Sequence, residues 1–340
     1  MVFMEDLDLK LVQSAIDELD RDLQAIGFKE FDSGRARTVV DVDLNQGDNL
    51  VLYICHKESV EERFRKEEKL LERVNDQTEI PTPNIIYSDL SKQKIPYLFY
   101  IGEKIEGYDP VDRYKYLAKE ERFEILKQSA RYLGELHRNV DFQDYGKIKY
   151  RGKNLEIDRC SWYKWMERWA EPHIESLADS RFSDLQEDAR RFMREHRHLA
   201  EVSNPCCVHF DVTPDNLIVE DGAIKAVLDW EKSISGAPEW DLQYSKILMI
   251  DAQFETGSIE QEMFKEFLNA YLQENELKTG WQKRFLYYNT IWTYQSLANF
   301  EKQEDEQDKL EQEKFFRNLV ERRFESLDDA LQEEFPEEFL

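Results

Sequence analysis

The chain has 340 residues, 41% of them hydrophobic and 13% aromatic, which is enough apolar side chain for a large core and too much for global disorder. A formal charge of −26 repels a phosphate backbone and excludes nucleic acid as a partner. No apolar run approaches the roughly 20 residues that cross a bilayer, and the start from Met1 to Asp6 lacks the basic and apolar segments of a signal peptide, so a cytoplasmic protein without membrane contact is expected.

The cysteines agree with that compartment. Cys206 and Cys207 are neighbours in an apolar stretch, Cys55 and Cys160 stand alone, and no C-x-x-C pair exists. They read as reduced, structural thiols. The acidity is spread along the whole chain, so it suits a solubility surface, would help gather a cationic substrate, and locates no site.

Over residues 5–26, Val12, Ala15, Ile16, Leu19, Leu23 and Ile26 recur at helical spacing, with Gly27 as the stop. From Phe28 the pattern changes to short alternating runs. Thr38–Leu44 and Leu50–Cys55 flank the turn-forming residues 45–49 and predict a hairpin. A charged helix follows over 60–74, marked by Phe64, Leu70, Leu71 and Val74, and Pro81 and Pro83 close that unit. Tyr97–Ile101 predicts one more strand before Gly102.

Beyond this point the chain reads as mainly helical. Segment 120–138 is amphipathic, and 160–200 is a second helical stretch that carries Trp162, Trp165 and Trp169 near helical spacing. That stripe is expected to pack, because tryptophans bury large areas. Strand character returns in two bursts between 206 and 230. Helices resume from about 241, and the charged tail from Glu301 keeps Phe315, Leu319, Phe324 and Leu327 on an amphipathic pattern.

The chemistry is concentrated in His209-Phe210-Asp211-Val212-Thr213-Pro214-Asp215-Asn216, an H-x-D-x-x-x-x-N segment running straight into the apolar Leu217-Ile218-Val219. Phosphoryl transfer needs a carboxylate beside the attacking hydroxyl and oxygen ligands for magnesium. A five-residue step on a tight loop can offer Asp211 to the acceptor and turn Asn216 to the metal. A second short strand, Ala226-Val227-Leu228, ends in Asp229, and Glu220–Ala223 between the two strands is hairpin material. Folding that hairpin brings Asn216 and Asp229 to the same end, as two hard oxygen ligands for nucleotide-bound magnesium. The alternative reading, with Asp211 and Asp229 as turn-capping acids, leaves their joint placement unexplained.

These motifs resemble the aminoglycoside phosphotransferase and choline kinase family over roughly residues 28–295, with those after residue 200 the most specific. The resemblance implies an α+β, bilobal protein kinase-like fold: a small antiparallel-sheet N-lobe over 1–102 and a larger, mostly helical C-lobe over 103–340. It implies Asp211 as catalytic base, Asn216 and Asp229 as magnesium ligands, and ATP or GTP as co-substrate. His209 would brace the loop, Asp241 in the Gly236–Leu242 run would tie the loop down, and Leu133–His137 would lie on the supporting helix. In the N-lobe, Ser33–Arg37 occupies the place of the phosphate-covering loop, so Gly34, Arg35 and Arg37 are candidate phosphate contacts. Glu67 matches the family's ion-pairing glutamate, with adjacent Glu68 leaving the register open, and Glu103-Lys104-Ile105 resembles the hinge that holds the purine.

The chain departs from the family at Tyr53, near which a lysine should clamp the phosphates and pair with Glu67. Tyr53 brings no charge, and Lys57 on the same strand face lies four residues away, roughly 13 Å along an extended chain. Two readings follow. In the first, the protein is a small-molecule kinase for a hydroxyl acceptor, suited by the acidity to an amine-bearing or cationic one. Ala237-Pro238-Glu239 comes too soon after Asp229 for the long segment that docks a peptide. In the second, it is a catalytically silent nucleotide-binding or regulatory protein of the same fold. The sequence leaves the oligomeric state and the choice of nucleotide open.

Overall fold

A computed structural model describes residues 7–19, 22–31, 37–108, 110, 114–152, 154–201, 204–251, 258–300 and 306–340. The chain forms two compact units. One comprises Met1–Asp112, Ile148–Glu156 and Asp215–Lys232; the other comprises Arg113–Lys147, Ile157–Pro214 and Ser233–Leu340. Compared with a contiguous division into 1–102 and 103–340, packing assigns the hairpin after Asp215 to the first unit. Backbone bonds explain this: Tyr108 and Val219 exchange N–H···O bonds of 2.9 Å, and Val227 N–H donates to Pro81 O at 2.8 Å.

The first unit is built on an antiparallel sheet in the order β1-β2-β3-β5-β4, with β1 Ala25–Glu30, β2 Arg37–Leu44, β3 Leu50–Cys55, β4 Ile85–Asp89 and β5 Leu98–Glu103. Strict alternation sorts its side chains onto two faces. Val40, Val42, Leu52, Ile54, Phe99 and Ile101 pack with Val12, Ala15 and Ile16 of helix α1, Leu9–Ile16. On the opposite face Tyr53, Cys55, Leu98 and Tyr100 pack with Phe64 of helix α2, Glu61–Gln77.

The predicted β2–β3 hairpin is present, with Val42 opposite Leu50 and Arg37 opposite Cys55. The N-terminal helix is shorter than its spacing suggests. It stops at Ile16, and the chain from Ala25 is strand β1 paired to β2. Leu19 and Leu23 reach the same core without helical backbone. The Gln13 side chain holds this turn, donating to Leu23 O at 3.0 Å and accepting from Ala25 N at 2.7 Å. Long-range pairing overrides local periodicity here.

In the second unit α3, Lys119–Asn139, packs on α7, Ser258–Glu274. Gly134 permits this approach, since a Cβ there would sit 2.7 Å from Glu274 Cβ and 2.9 Å from Tyr271 O. Helix α8, Trp281–Asn299, packs on α4, Trp162–Ser176, and on α6, Pro238–Ser245. Helix α5 spans Gln186–Glu195, and the charged tail folds into α9, Glu306–Glu325, and α10, Leu327–Glu334.

The tryptophan stripe packs: Trp162 and Trp165 stack at 4.8 Å with Trp240 edge-on to both, and half-buried Trp169 stacks on Trp292 at 5.0 Å. Sequence periodicity missed the hairpin β6, Gly146–Arg151, with β7, Asn154–Arg159, and the three-residue β11, Ile234–Gly236. The last lies between β8, Cys206–Val208, and the start of β6, and supports the segment that follows β8.

Candidate active site

In the second unit, β8 delivers the chain into His209-Phe210-Asp211. Asp241, near the start of α6 and buried, accepts from His209 N and Phe210 N, each at 2.7 Å. Its Oδ2 also lies 3.0 Å from His137 Nε2, and His137 Nδ1 is 2.8 Å from the Tyr271 hydroxyl. One carboxylate thus fixes two consecutive amides of the loop and is itself held through α3 and α7. Asp241 and His137 stand where the sequence resemblance expects them. His209 is a brace: fully buried, its Nδ1 accepts from Asp211 N at 3.2 Å.

Between them Phe210 adopts φ 76°, a left-handed conformation that a bulky residue rarely takes. Two charge-assisted bonds from Asp241 and ring contacts with Trp165, Trp240, Tyr244 and Trp292 offset the strain. The turn leaves Asp211 nine-tenths buried, with its Oδ1 accepting from the Tyr244 hydroxyl at 2.9 Å. Sequence reasoning missed Tyr244. The available signal was its place one helical turn after Asp241, on the same face of α6.

In the first unit, the hairpin of β9, Leu217–Glu220, and β10, Ala223–Val227, turns through Asp221 and Gly222, both at positive φ as a two-residue hairpin turn requires. At its open end Leu228 N–H donates to Asn216 O at 2.8 Å. The backbone therefore sets Asn216 beside Leu228, next to Asp229. Asp229 has φ 63°, a left-handed conformation that aspartate tolerates better than most residues.

Arg37 of β2 reaches two acids of this unit, Glu67 and Asp229. Its Nη1 donates to the two carboxylate oxygens of Glu67 at 3.0 and 2.8 Å, and its Nη2 donates to Asp229 Oδ1 at 3.0 Å. Glu67 accepts a further bond from Trp230 N at 3.1 Å. Burial pushes the Glu67 carboxyl above its ordinary value, against the pull of Arg37. The guanidinium holds its proton firmly: burial opposes its charge, but Glu67, Tyr100 and Asp229 outweigh that. Of the two adjacent glutamates, Glu67 takes this pairing, and Glu68 accepts from the Ser88 hydroxyl at 2.9 Å.

Tyr53 stacks on Tyr100 at 4.5 Å, and burial pushes its phenol up to about 12 against the opposing pull of Arg37. It is a neutral wall. Of the other nucleotide candidates, Gly34 and Arg35 lie outside the described residues. Glu103 donates its N–H to Asn84 O at 3.3 Å and accepts from the Asn84 side chain at 3.2 Å. Ile105 follows as a half-buried residue just past β5. Among the described residues, no group of three His, Cys, Asp or Glu side chains is arranged to hold a metal, and no helix is long and apolar enough to cross a membrane.

Residues 27–285 match the family described as the phosphotransferase enzyme family. The chain belongs to that family. Among solved structures, aminoglycoside phosphotransferase APH(4)-Ia superposes with a TM-score of 0.60 at 14% identity, covering 97% of this chain and 100% of that one. A thermostable mutant of the same enzyme, in a ternary complex with ADP and hygromycin B, gives 0.58 at 13% identity over 94% of this chain and 98% of that one. A mutant of the aminoglycoside 2'-phosphotransferase-IIIa in complex with GDP gives 0.60 at 14% identity, covering 94% of this chain and 100% of that one. At these identities the likeness establishes the fold: the expected kinase-like arrangement of an antiparallel-sheet region and a helical region. A curated plant relative, "Probable acyl-CoA dehydrogenase IBR3" of Arabidopsis thaliana, is 24% identical over 232 residues, which is 64% of this chain. The match covers only 27% of that relative's own length.

Proposed function

We propose that this phosphotransferase is a small-molecule kinase that moves the γ-phosphoryl group of ATP or GTP to a hydroxyl of a small acceptor. Asp211 accepts or orients the hydroxyl proton, and Tyr244 holds the carboxylate in place. The observation that carries the reading is the Asp241 clamp on two successive loop amides, which presents Asp211 on a strained turn of the kind kept at working sites.

Magnesium suits the donors of the hairpin. Asp229 supplies a carboxylate oxygen and Asn216 an amide oxygen at adjacent backbone positions, and the Asp229 side chain is 22% exposed. Two protein oxygens are what a nucleotide-carried magnesium needs, because phosphates and waters complete its shell. Held by Asp229 and Asn216, magnesium would supply positive charge against that of the phosphates.

The acceptor is a hydroxyl compound, and the charge of −26 favours an amine-bearing one. A panel of amino-alcohols, aminoglycosides and sugars, assayed for magnesium-dependent nucleotide consumption, tests this; a hydroxyacyl thioester belongs in it because one relative bears an acyl-CoA dehydrogenase name. Turnover confined to amine-bearing acceptors supports the preference, and turnover only of neutral or anionic ones removes it. The second reading, a silent nucleotide-binding protein, is favoured by the neutral phenol of Tyr53. It predicts thermal stabilisation by nucleotide with no turnover of any acceptor.

A further inference from the structure

We propose that Arg37 carries the phosphate-clamping charge from β2, doing there what the family resemblance expects of a lysine on β3. The inference rests on the kinase reading and concerns how this chain completes its nucleotide site.

The register makes the substitution geometrically direct. Val39 pairs with Tyr53 and Arg37 pairs with Cys55, so Arg37 and Tyr53 are diagonal neighbours on one sheet face. Such neighbours are about 7–8 Å apart, within reach of a long side chain. The face is the one covered by α2, which carries Glu67. Tyr53 meanwhile is committed to Tyr100, which stacks in turn on Phe64 at 4.8 Å. The aromatic stack fills the ground a β3 lysine would cross, and the charge enters from the adjacent strand.

The charge balance points to a ligand. One guanidinium serves two carboxylates, and Arg37 keeps 19% of its side-chain surface exposed. A cation taken up by Asp229 would compete with Arg37 Nη2 for the same Oδ1. Released there and still held by Glu67 through Nη1, Arg37 would offer a free edge of its fork to phosphate oxygens, a geometry that guanidinium matches in two bonds. A purely architectural arginine, tying β2 to α2 and the hairpin, would affect nucleoside and nucleotide equally.

The test is calorimetric binding of ATP and GTP with magnesium, and of adenosine and guanosine without it, to wild type, Arg37→Ala and the transplant Arg37→Ala/Tyr53→Lys. Arg37→Ala should weaken the bound triphosphate about 10- to 100-fold while leaving the nucleoside within about twofold, as expected for losing charge-assisted bonds to phosphate. The transplant should recover a large part of that loss. Equal losses for nucleoside and triphosphate, or none for either, would overturn the proposal. If Arg37→Ala does not fold, Arg37→Lys takes its place; it must lower triphosphate affinity selectively, and unchanged affinity overturns the proposal. A wild type that binds no nucleotide overturns the kinase reading as well, whereas wild-type binding with an indifferent Arg37 removes only this inference.

Discussion

Among the described residues, Arg284 and Arg37 each pair with a buried glutamate, and the two pairs are in opposite states. Arg284 of α8 is 2% exposed, gives its Nε to Glu239 at 2.7 Å, and donates its terminal nitrogens to Thr279 O and Lys278 O at 3.0 and 2.7 Å. One charge meets one charge, and the remaining donors meet carbonyls. Arg37 meets two carboxylates, and the surplus is negative. A closed pair holds a fold together; an open one leaves room for a further cation or an anion-bearing ligand.

The largest effect on stability should fall on the closed pair. Arg284→Ala removes the guanidinium bound to buried Glu239 and should cost roughly 3–5 kcal/mol in urea unfolding. A loss below about 1 kcal/mol, as for surface pairs, would erase the contrast. Arg37→Ala should cost less, about 1–3 kcal/mol, since Asp229 is 22% exposed and buried Glu67 keeps its bond from Trp230 N. Added magnesium chloride should restore part of it, because Glu67 and Asp229 then lack their cation. A variant whose melting ignores magnesium would argue that the open pair is not open to metal.

The pH dependence sharpens the same contrast. Because burial lifts the Glu67 carboxyl above its ordinary value of 4.5, that group's contribution to stability is complete below 4.5 and is lost as pH rises through the folded value. Relative to Glu67→Gln, wild type should therefore lose unfolding free energy as pH climbs from 4.5; a difference that grows with pH would mean Arg37 outweighs burial. The smallest effect belongs to Tyr53→Lys in an otherwise intact chain. It sets a second cation beside Arg37 and breaks the stack on Tyr100, so nucleotide affinity should not improve. A tenfold gain, about 1.4 kcal/mol, would mean the lysine is missing and not replaced.

Much of this was legible from residue order. Alternation in Thr38–Leu44 and Leu50–Cys55 sets the hairpin register, and that register alone puts Arg37 opposite Cys55 on the face of Tyr53. The pairing of Arg37 with Glu67 was within reach, yet Arg37 first reads as an aid to a glycine-poor loop. H-x-D-x-x-x-x-N and Asp241 were readable because short, chemically dictated spacings survive without tertiary context. Leu19 and Leu23 misled because a turn can bury the same positions that a helix would. The β6–β7 hairpin was hidden, as its outward residues are charged and only Gly146 and Ile148 are buried along β6. Tyr244 needed the helix start at Pro238 before its turn could be counted from Asp241.

Central to the account is a loop that presents Asp211 to an acceptor hydroxyl, and the substitution Asp211→Asn tests it most directly, with turnover and nucleotide binding measured on the same preparation. Magnesium-dependent phosphoryl transfer should fall by about 10²–10⁴-fold while the nucleotide dissociation constant stays within a few-fold. Turnover equal to wild type, with binding intact, would contradict it.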